Sequence, residues 1–298
     1  MKFRAHETFF VRKGWLNKGI KYVSLDPAVF VSKDKNPMDV LGIGSNMVKS
    51  LRYWIQAVGI TQEPKSGKRE QSFTRFGNLV KEYDPYIEEL GTLYLLHYNL
   101  VKNYNEASSW YYFYNIFNMS SFTKNEFVEG LQKFVRDKGE EFAIRSYEDD
   151  FACILNTYIP RYKTNPSRVS PESNIDCPLG ELGLIDIIDV DKSNSKKDLV
   201  YKKAIPLVST VNPWIALAII KEQAVDEKEV QLNSLLNDPM NIGKVLNLDA
   251  ITMLEILHNI EKLGEIKIIR TAGLDVIRIN SDKNYYDCIE EYYKSIEE

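Results

Sequence analysis

The most constraining feature of the sequence is an amphipathic segment that follows the glycine pair of Gly42–Ile43–Gly44. Apolar residues recur after this pair at intervals of three and four positions, which gathers them on one face of an α-helix. Glycine permits the backbone angles of a tight turn, Ser45 or Asn46 is suited to cap the helix, and Gly59 to end it. Gly42–Val58 is therefore predicted to hold the recognition helix of a helix-turn-helix, with an apolar face made of Met47, Val48, Leu51, Trp54, Ile55 and Val58.

The residues on either side of this segment complete a winged helix-turn-helix. Trp15–Leu25 is predicted to form a first helix, and Pro37 is suited to start a short second helix that runs through Leu41. Beyond the recognition helix, Pro64–Arg69 has the composition of a basic turn, which suits a wing that touches the DNA backbone or minor groove.

The face of the recognition helix opposite the apolar residues has the chemistry of a DNA reader. Asn and Gln pair with adenine edges, Lys and Arg bind guanine or phosphate, and Ser binds phosphate. An ordinary amphipathic helix whose outer residues face water is the alternative. The predicted DNA contacts are Ser45, Asn46, Lys49, Arg52, Tyr53 and Gln56 on the helix, Lys65, Lys68 and Arg69 on the wing, and the upstream basic residues Arg12 and Lys13.

Charge is distributed unevenly along the chain. Residues 1–80 hold 14 Lys or Arg against 6 Asp or Glu, a balance of +8, whereas the other 218 residues hold 24 against 36, a balance of −12. A basic surface collects phosphate oxygens and releases condensed counterions, so this asymmetry favours nucleic-acid binding by the first region. A solvated basic face is the alternative explanation of the charge.

Composition argues against several classes of protein. Three cysteines and three histidines are scattered without the spacing of a zinc site, so the cysteines are expected to be reduced thiols. Charged residues near the N-terminus interrupt what would be the apolar core of a signal peptide. Because no stretch approaches the roughly 18 apolar residues of a membrane span, a cytoplasmic protein without membrane association is expected.

The fold class predicted from these patterns is mainly α with small β-hairpins, in three regions. They are a basic winged helix-turn-helix at 1–80, an aromatic-rich helical region at 81–165 and an α+β region at 166–298. The proline-containing segment Arg161–Pro178 is the best linker candidate. Within the third region, a β-hairpin is predicted over 184–204, and a helix from Trp214 to Gln223 is predicted to follow Pro213.

The end of the third region, about 226–282, has the order of elements of a second winged helix. Its predicted parts are a short helix at Ile242–Leu246, a helix capped by Asp249 that ends near Leu263–Gly264, and strands at Ile266–Arg270 and Val276–Ile279. The exterior of the long helix is mostly acidic, and phosphates would repel it, so contact with protein is the preferred use of this surface. That exterior comprises Asp249, Thr252, Glu255, His258, Asn259 and Glu261.

Four stretches of the sequence resemble the bacterial domain-of-unknown-function family 4007. They are Phe3–Phe9, Arg12–Leu16, Leu41–Trp54 and Asp176–Leu184, so the resemblance covers most of the chain. It implies a protein that works beside sulfur-transfer enzymes in DNA phosphorothioate modification and antiphage defence. Resemblance to the SspB-like members of the family implies that the protein nicks one DNA strand. The partners that it implies are DNA and other proteins of a sulfur-modification complex. A non-catalytic adaptor and a transcriptional regulator are the alternatives.

No familiar nuclease signature accompanies this resemblance, so the catalytic candidates rest on side-chain chemistry alone. Glu148–Asp149–Asp150 could bind Mg²⁺ or Mn²⁺, with Glu148 and Asp149 as the metal ligands; acidic residues that offset a helix dipole are the alternative. Arg4, His6 and Glu7 could bind the scissile phosphate and move a proton, unless His6 is a buried structural histidine.

Two further candidates are weaker. Asp176 and Glu181 bracket a Cys-Pro-Leu-Gly sequence that reads better as a loop and a helix start. The aromatic run Trp110–Tyr114 could stack on unpaired bases, but five adjacent aromatics cannot share one helix face, and most are expected in the core.

Overall fold

The computed structural model describes residues 1–160, 177–188, 199–271 and 274–297. Contacts divide the chain into two units, Met1–Phe113 with Met119–Lys203, and Tyr114–Asn118 with Ala204–Glu298. The sequence placed a boundary at 165, whereas the contacts group the strand at Val200–Lys203 with the first unit. The described chain is mainly helical with small antiparallel sheets, and most of the predicted linker lies outside the described residues.

Three helices begin the first unit in the predicted order, and a two-stranded hairpin follows them. Helices α1 and α3 approach closely where Gly19 meets Ile55: a Cβ atom on Gly19 would lie 2.5 Å from the Cδ1 atom of Ile55. The strands are antiparallel, with Thr61 opposite Phe73, and the basic turn lies between them. The elements are α1 (Trp15–Leu25), α2 (Pro37–Leu41), α3 (Ser45–Ala57), β1 (Thr61–Gln62) and β2 (Ser72–Phe73).

Helix α3 confirms the predicted apolar face and corrects the predicted cap. Val48, Leu51, Trp54, Ile55 and Val58 are buried, and Met47 is half-buried. The N-cap residue is Gly44, which has no side chain to accept a hydrogen bond, so the prediction that Ser45 or Asn46 caps the helix is wrong.

The rest of the first unit is a helical layer with a small sheet. The strand order is β3–β5–β4, so the predicted hairpin is present and gains a third strand from the preceding helical region. The turn predicted at 192–195 lies outside the described residues. These elements are α4 (Arg75–Tyr83), α5 (Leu90–Lys102), α6 (Ser108–Tyr111), β3 (Ser121–Phe122), α7 (Lys124–Asp137), α8 (Ile144–Tyr158), β4 (Ile185–Ile188) and β5 (Val200–Lys203).

The aromatic run Trp110–Tyr114 lies mostly in the core, as expected. Trp110, Tyr112, Phe113 and Tyr114 are buried and Tyr111 is half-buried, so the run does not form a platform for bases. Glu181 lies in a 3-10 helix at Pro178–Leu182, whereas Asp176 lies outside the described residues.

The second unit combines helices with a three-stranded antiparallel sheet of order β6–β8–β7. Asp249 caps α12 as predicted, because its side chain accepts a hydrogen bond from the amide of Thr252. The sequence did not predict β6, α10 or α13. The elements are α9 (Pro213–Gln223), β6 (Glu229–Gln231), α10 (Leu232–Asn237), α11 (Ile242–Val245), α12 (Ala250–Lys262), β7 (Ile266–Thr271), β8 (Leu274–Ile279) and α13 (Tyr285–Glu297). Among the described helices, none has both the length and the apolar character needed to cross a bilayer.

Candidate nucleic-acid interface

An open groove of about 790 Å³ lies in the first unit, lined by the N-terminal segment, helix α3 and the β1–β2 hairpin. Five cationic side chains line it against three carboxylates, so its lining carries net positive charge. The cationic residues are Lys2, Lys49, Arg52, Lys65 and Arg69, and the acidic residues are Glu7, Glu63 and Glu106.

The structure brings six of the predicted DNA contacts to this groove: Lys49, Arg52, Tyr53, Gln56, Lys65 and Arg69. Ser45, Asn46 and Lys68 are exposed on the same helix and turn but do not line the groove. Arg12 and Lys13 lie elsewhere, and the Arg12 guanidinium is 5.4 Å from the ring centroid of Trp15.

Tyr53 departs from the outward position that helical periodicity assigned to it. Its side chain is 8% exposed, and its ring centroid lies 6.4 Å from that of His6. Burial, followed by the nearby Asp150 carboxylate, raises the pKa of the Tyr53 phenol well above its ordinary value, so the phenol stays neutral. The N-terminal segment covers this side of α3, and that is why an outward position in the helix became a buried one.

Arg52 is also less free than predicted, because it is tied to the hairpin. Its Nε and Nη2 atoms donate to Oε2 of Glu63 at 2.9 and 2.7 Å. The same oxygen accepts from Nε2 of Gln71 at 2.7 Å, and Oε1 of Gln71 accepts from the Thr61 hydroxyl at 2.6 Å. Charge-assisted hydrogen bonds of this kind fix a guanidinium in one orientation.

The two catalytic hypotheses drawn from the sequence concern one cluster. Nε2 of His6 lies 2.8 Å from Oδ1 of Asp150, and that oxygen also accepts from the backbone amide of Arg4 at 2.7 Å. The other oxygen of Asp150 accepts from the hydroxyl of Ser109 at 2.5 Å. Asp149, the residue before Asp150, forms an ion pair with Arg4, with 2.9 Å between its Oδ2 atom and Nε of Arg4.

Burial and pairing limit what this cluster can do chemically. His6 and Asp150 are each 1% exposed, so in this conformation neither reaches a phosphodiester, and the structural interpretation of His6 fits its surroundings. Glu148 pairs with Nζ of Lys124 at 2.7 Å, and Asp149 pairs with Arg4, so each carboxylate has a cation as its partner. Across the described residues there is no group of three His, Cys, Asp or Glu side chains placed to hold a metal ion. The metal site predicted at Glu148 and Asp149 therefore has no support in the geometry.

The N-terminal segment is tightly wound where it passes the groove. Arg4, Glu7 and Thr8 have left-handed backbones, with φ of 56°, 51° and 66°. Non-glycine residues in this region carry strain of about 1–3 kcal/mol each and keep it only when surrounding contacts hold them. The indole of Trp54 supplies one such contact by donating to the carbonyl of Phe9 at 2.8 Å. Of the predicted catalytic residues, Glu7 lines the groove, with Oε1 4.0 Å from Nζ of Lys49.

Sequence reasoning missed several residues of this region. Glu63 and Gln71 orient Arg52, and neither residue stands in a local sequence pattern that signals this role. Lys2 and Glu106 line the groove and pair with each other at 2.7 Å, and no local pattern joins two residues so far apart in sequence.

Comparison with known proteins places the chain in a family. It matches the family described as "Protein of unknown function (DUF4007)" over residues 3–293. This chain belongs to the DUF4007 family. The DUF4007 chain also resembles a solved structure titled "SspB crystal structure", with a TM-score of 0.82, 25% identity and coverage of 99% of this chain and 88% of that one. A magnesium ion-bound SspB crystal structure gives a TM-score of 0.80 at 24% identity, with the same coverage.

A further relative is a probable serine/threonine-protein kinase of Dictyostelium discoideum. It is 29% identical over 160 residues, which span 52% of this chain and 10% of that protein. The DUF4007 chain lacks the His-Arg-Asp and Asp-Phe-Gly sequences on which kinase catalysis depends. Because the match spans only 10% of that protein, its activity is not carried over to the present chain.

Proposed function

We propose that this DUF4007 protein is a DNA-binding component of a phosphorothioate modification and defence system. The observation that supports DNA binding is the groove, where five cationic side chains converge between α3, the hairpin and the N-terminal segment. The SspB-like fold and the family resemblance support the link to phosphorothioation. Other proteins of a sulfur-modification complex are the expected partners.

In this proposal α1–α3 and the hairpin act as a winged helix-turn-helix. Helix α3 would enter the major groove, where exposed Asn46 and Lys49 meet the DNA, and the β1–β2 turn would follow the backbone as a wing. Lys65, Lys68 and Arg69 on that turn are all exposed and available to phosphates.

Fluorescence anisotropy with a labelled duplex across a salt series tests the binding. Replacing Lys49, Lys65 and Arg69 by Ala is expected to weaken binding and to lower the slope of log K against log salt by about 3, about one per lost phosphate contact. The matched control replaces three exposed cations of α7 and its C-cap, Lys133, Arg136 and Lys138, and removes the same charge away from the groove. Equal losses in both triple variants would indicate a non-specific charge effect and count against the groove.

Strand nicking is the second part of the proposal, and Glu7 is its catalytic candidate. In a hydrolytic nick the Glu7 carboxylate accepts a proton from water, whose oxygen attacks phosphorus while the leaving oxygen takes a proton from solvent. Lys49 beside Glu7 would offset the charge that builds on the phosphate. The side chain of Arg4, another predicted catalytic residue, pairs with Asp149.

A magnesium requirement is suggested by the magnesium-bound SspB relative. The donor set described here does not fit a protein-built site, because Glu148 and Asp149 pair with cations and Asp150 is hydrogen-bonded through both oxygens. The proposed proton transfer therefore uses Glu7 and water.

A supercoiled-plasmid assay with Mg²⁺, with Mn²⁺ and with a chelator tests nicking. The expected product is open-circular DNA for the parent protein, with loss of nicking but retention of binding for Glu7→Gln. A non-catalytic adaptor is the second candidate function, favoured by the burial of His6 and Asp150. Highly purified protein that binds plasmid without opening circles in any of these conditions supports the adaptor and removes the nickase.

A further inference from the structure

Arg52 is held differently from the other cations of the groove. Lys49, Lys65 and Arg69 are exposed, with the Lys49 side chain at 63%, whereas the Arg52 side chain is only 21% exposed. A mobile surface lysine is suited to a phosphate oxygen, which can be approached from many directions. A guanidinium fixed in a half-buried position has a narrower use.

The fixation of Arg52 runs through a chain of side chains that ends in the hairpin. Oε2 of Glu63 accepts two hydrogen bonds from Arg52 and one from Gln71, and the buried Gln71 in turn accepts from Thr61. Thr61 is a β1 residue paired with Phe73 of β2. Helix α3 and the hairpin therefore determine together where the guanidinium points, and little side-chain entropy remains to be lost on binding.

The pairing with Glu63 uses only part of the hydrogen-bonding capacity of Arg52. A guanidinium carries five N–H donors in one plane, and within the described residues its hydrogen bonds engage Nε and Nη2 with one oxygen of Glu63. Nη1 and the second hydrogen of Nη2 remain as an adjacent pair of donors. Arg52 lines the groove and its side chain is 21% exposed, so a ligand in the groove can approach this residue.

We infer that Arg52 reads a guanine through its major-groove edge, and the inference rests on the proposed DNA binding. Guanine presents two acceptors there, N7 and O6, and a planar pair of arginine donors matches them. Arg52 belongs to α3, the helix proposed to enter the major groove, and base edges are exposed in that groove, while the exposed lysines meet phosphates. Glu63 and Gln71 act as positioning residues for this contact.

A selection from duplexes with a randomised central segment tests the inference. Bound and unbound pools are sequenced for the parent protein and for Arg52→Lys, which keeps the charge but loses the fork. The parent protein is expected to enrich guanine at one position about tenfold, the discrimination of a good bidentate contact, and Arg52→Lys is expected to lose that preference. Gln71→Ala is expected to reduce the preference while leaving the salt dependence of binding unchanged.

Base analogues in a selected duplex provide a second measurement that needs no variant. 7-Deazaguanine removes the N7 acceptor and is expected to weaken parent binding about tenfold. Hypoxanthine keeps N7 and O6 and lacks only the minor-groove amino group, so it is expected to bind like guanine. The analogues should have no differential effect on Arg52→Lys.

The outcomes separate this inference from the proposed function. If the parent protein binds the pool without a guanine preference, or if Arg52→Lys keeps the preference of the parent protein, Arg52 does not read guanine. The inference then fails while DNA binding stands. If the parent protein retains no duplex at low salt, the proposed function fails.

Discussion

Helices α3 and α12 have the same length and the same order of neighbours, yet their exposed side chains differ. Each has 13 residues, follows a short helix and precedes an antiparallel hairpin. The exposed face of α3 carries Asn46 and Lys49, whereas α12 exposes Glu255. A shared order of elements therefore leaves the ligand undecided, and surface charge and covering segments make the distinction.

Of these two distinctions, surface charge and covering segments, the second is the larger for α3, which the N-terminal segment covers. The N-terminal segment crosses α3 and is anchored by the buried pair of His6 and Asp150, at 2.8 Å. Tyr53 and Trp54 contact His6 from α3, with ring centroids 6.4 and 6.3 Å from the histidine ring. The groove therefore depends on a contact between residues 144 positions apart.

Breaking this anchor is expected to have the largest effect on stability. Asp150→Ala removes the acceptor of His6 and Ser109 and leaves buried polar groups unpaired, at a cost of about 3–5 kcal/mol in the free energy of unfolding. The control is Asp149→Ala, which breaks a partly exposed ion pair with Arg4 and should cost less than about 1 kcal/mol. Chemical denaturation measures both, and equal costs would show that the buried pair does not anchor the segment.

Reversing one charge on each helix tests which of the two meets DNA. Lys49→Glu places a repulsive charge in the groove and is expected to weaken duplex binding at low salt by about tenfold or more. Glu255→Lys makes a change of the same size, with opposite sign, on the exposed face of α12 and should alter affinity by less than about twofold. A clear gain for Glu255→Lys would assign α12 a share in DNA binding.

The caps of the two helices give a smaller and pH-dependent contrast. Hydrogen bonds from Thr252 hold the pKa of Asp249 below its ordinary value, and the bond from the Thr252 backbone amide has the largest effect. Asp249→Ala is expected to cost about 1 kcal/mol at neutral pH. The contribution of the carboxylate is complete above the unfolded-state pKa of about 4 and is lost as pH falls through the lowered folded pKa. Thermal unfolding of both proteins should therefore show a difference that shrinks in acid; a difference that stays constant down to pH 2 would exclude capping by the carboxylate.

The smallest expected effect is the repair of the cap that α3 lacks. Gly44 has φ −65° and ψ 160°, which any residue adopts, and a Cβ atom there would meet no atom within 4 Å. Gly44→Ser should therefore stabilise the fold by a few tenths of a kcal/mol. A fall in the melting temperature would contradict this reading of the turn.

Local patterns predicted the elements that local forces decide. The apolar spacing of α3, the Asp249 cap and the strands of the last hairpin are each encoded by residues close together in the sequence, and all three are present. The missed strand β6 has only 3 residues, and it is defined by its pairing with β8 across the second unit. A segment that short has no periodicity of its own to detect.

The sequence by itself determined the helical class, the buried face of α3, the basic first region and a family resemblance that the family match confirms. Tertiary structure alone decided that Tyr53 is covered, that Arg52 is bound to Glu63 and that the two sets of catalytic candidates meet at His6 and Asp150. Periodicity describes an isolated helix, whereas burial and charge pairing depend on the segments that fold against it. Those segments come from distant parts of the chain, and only the folded protein brings them together.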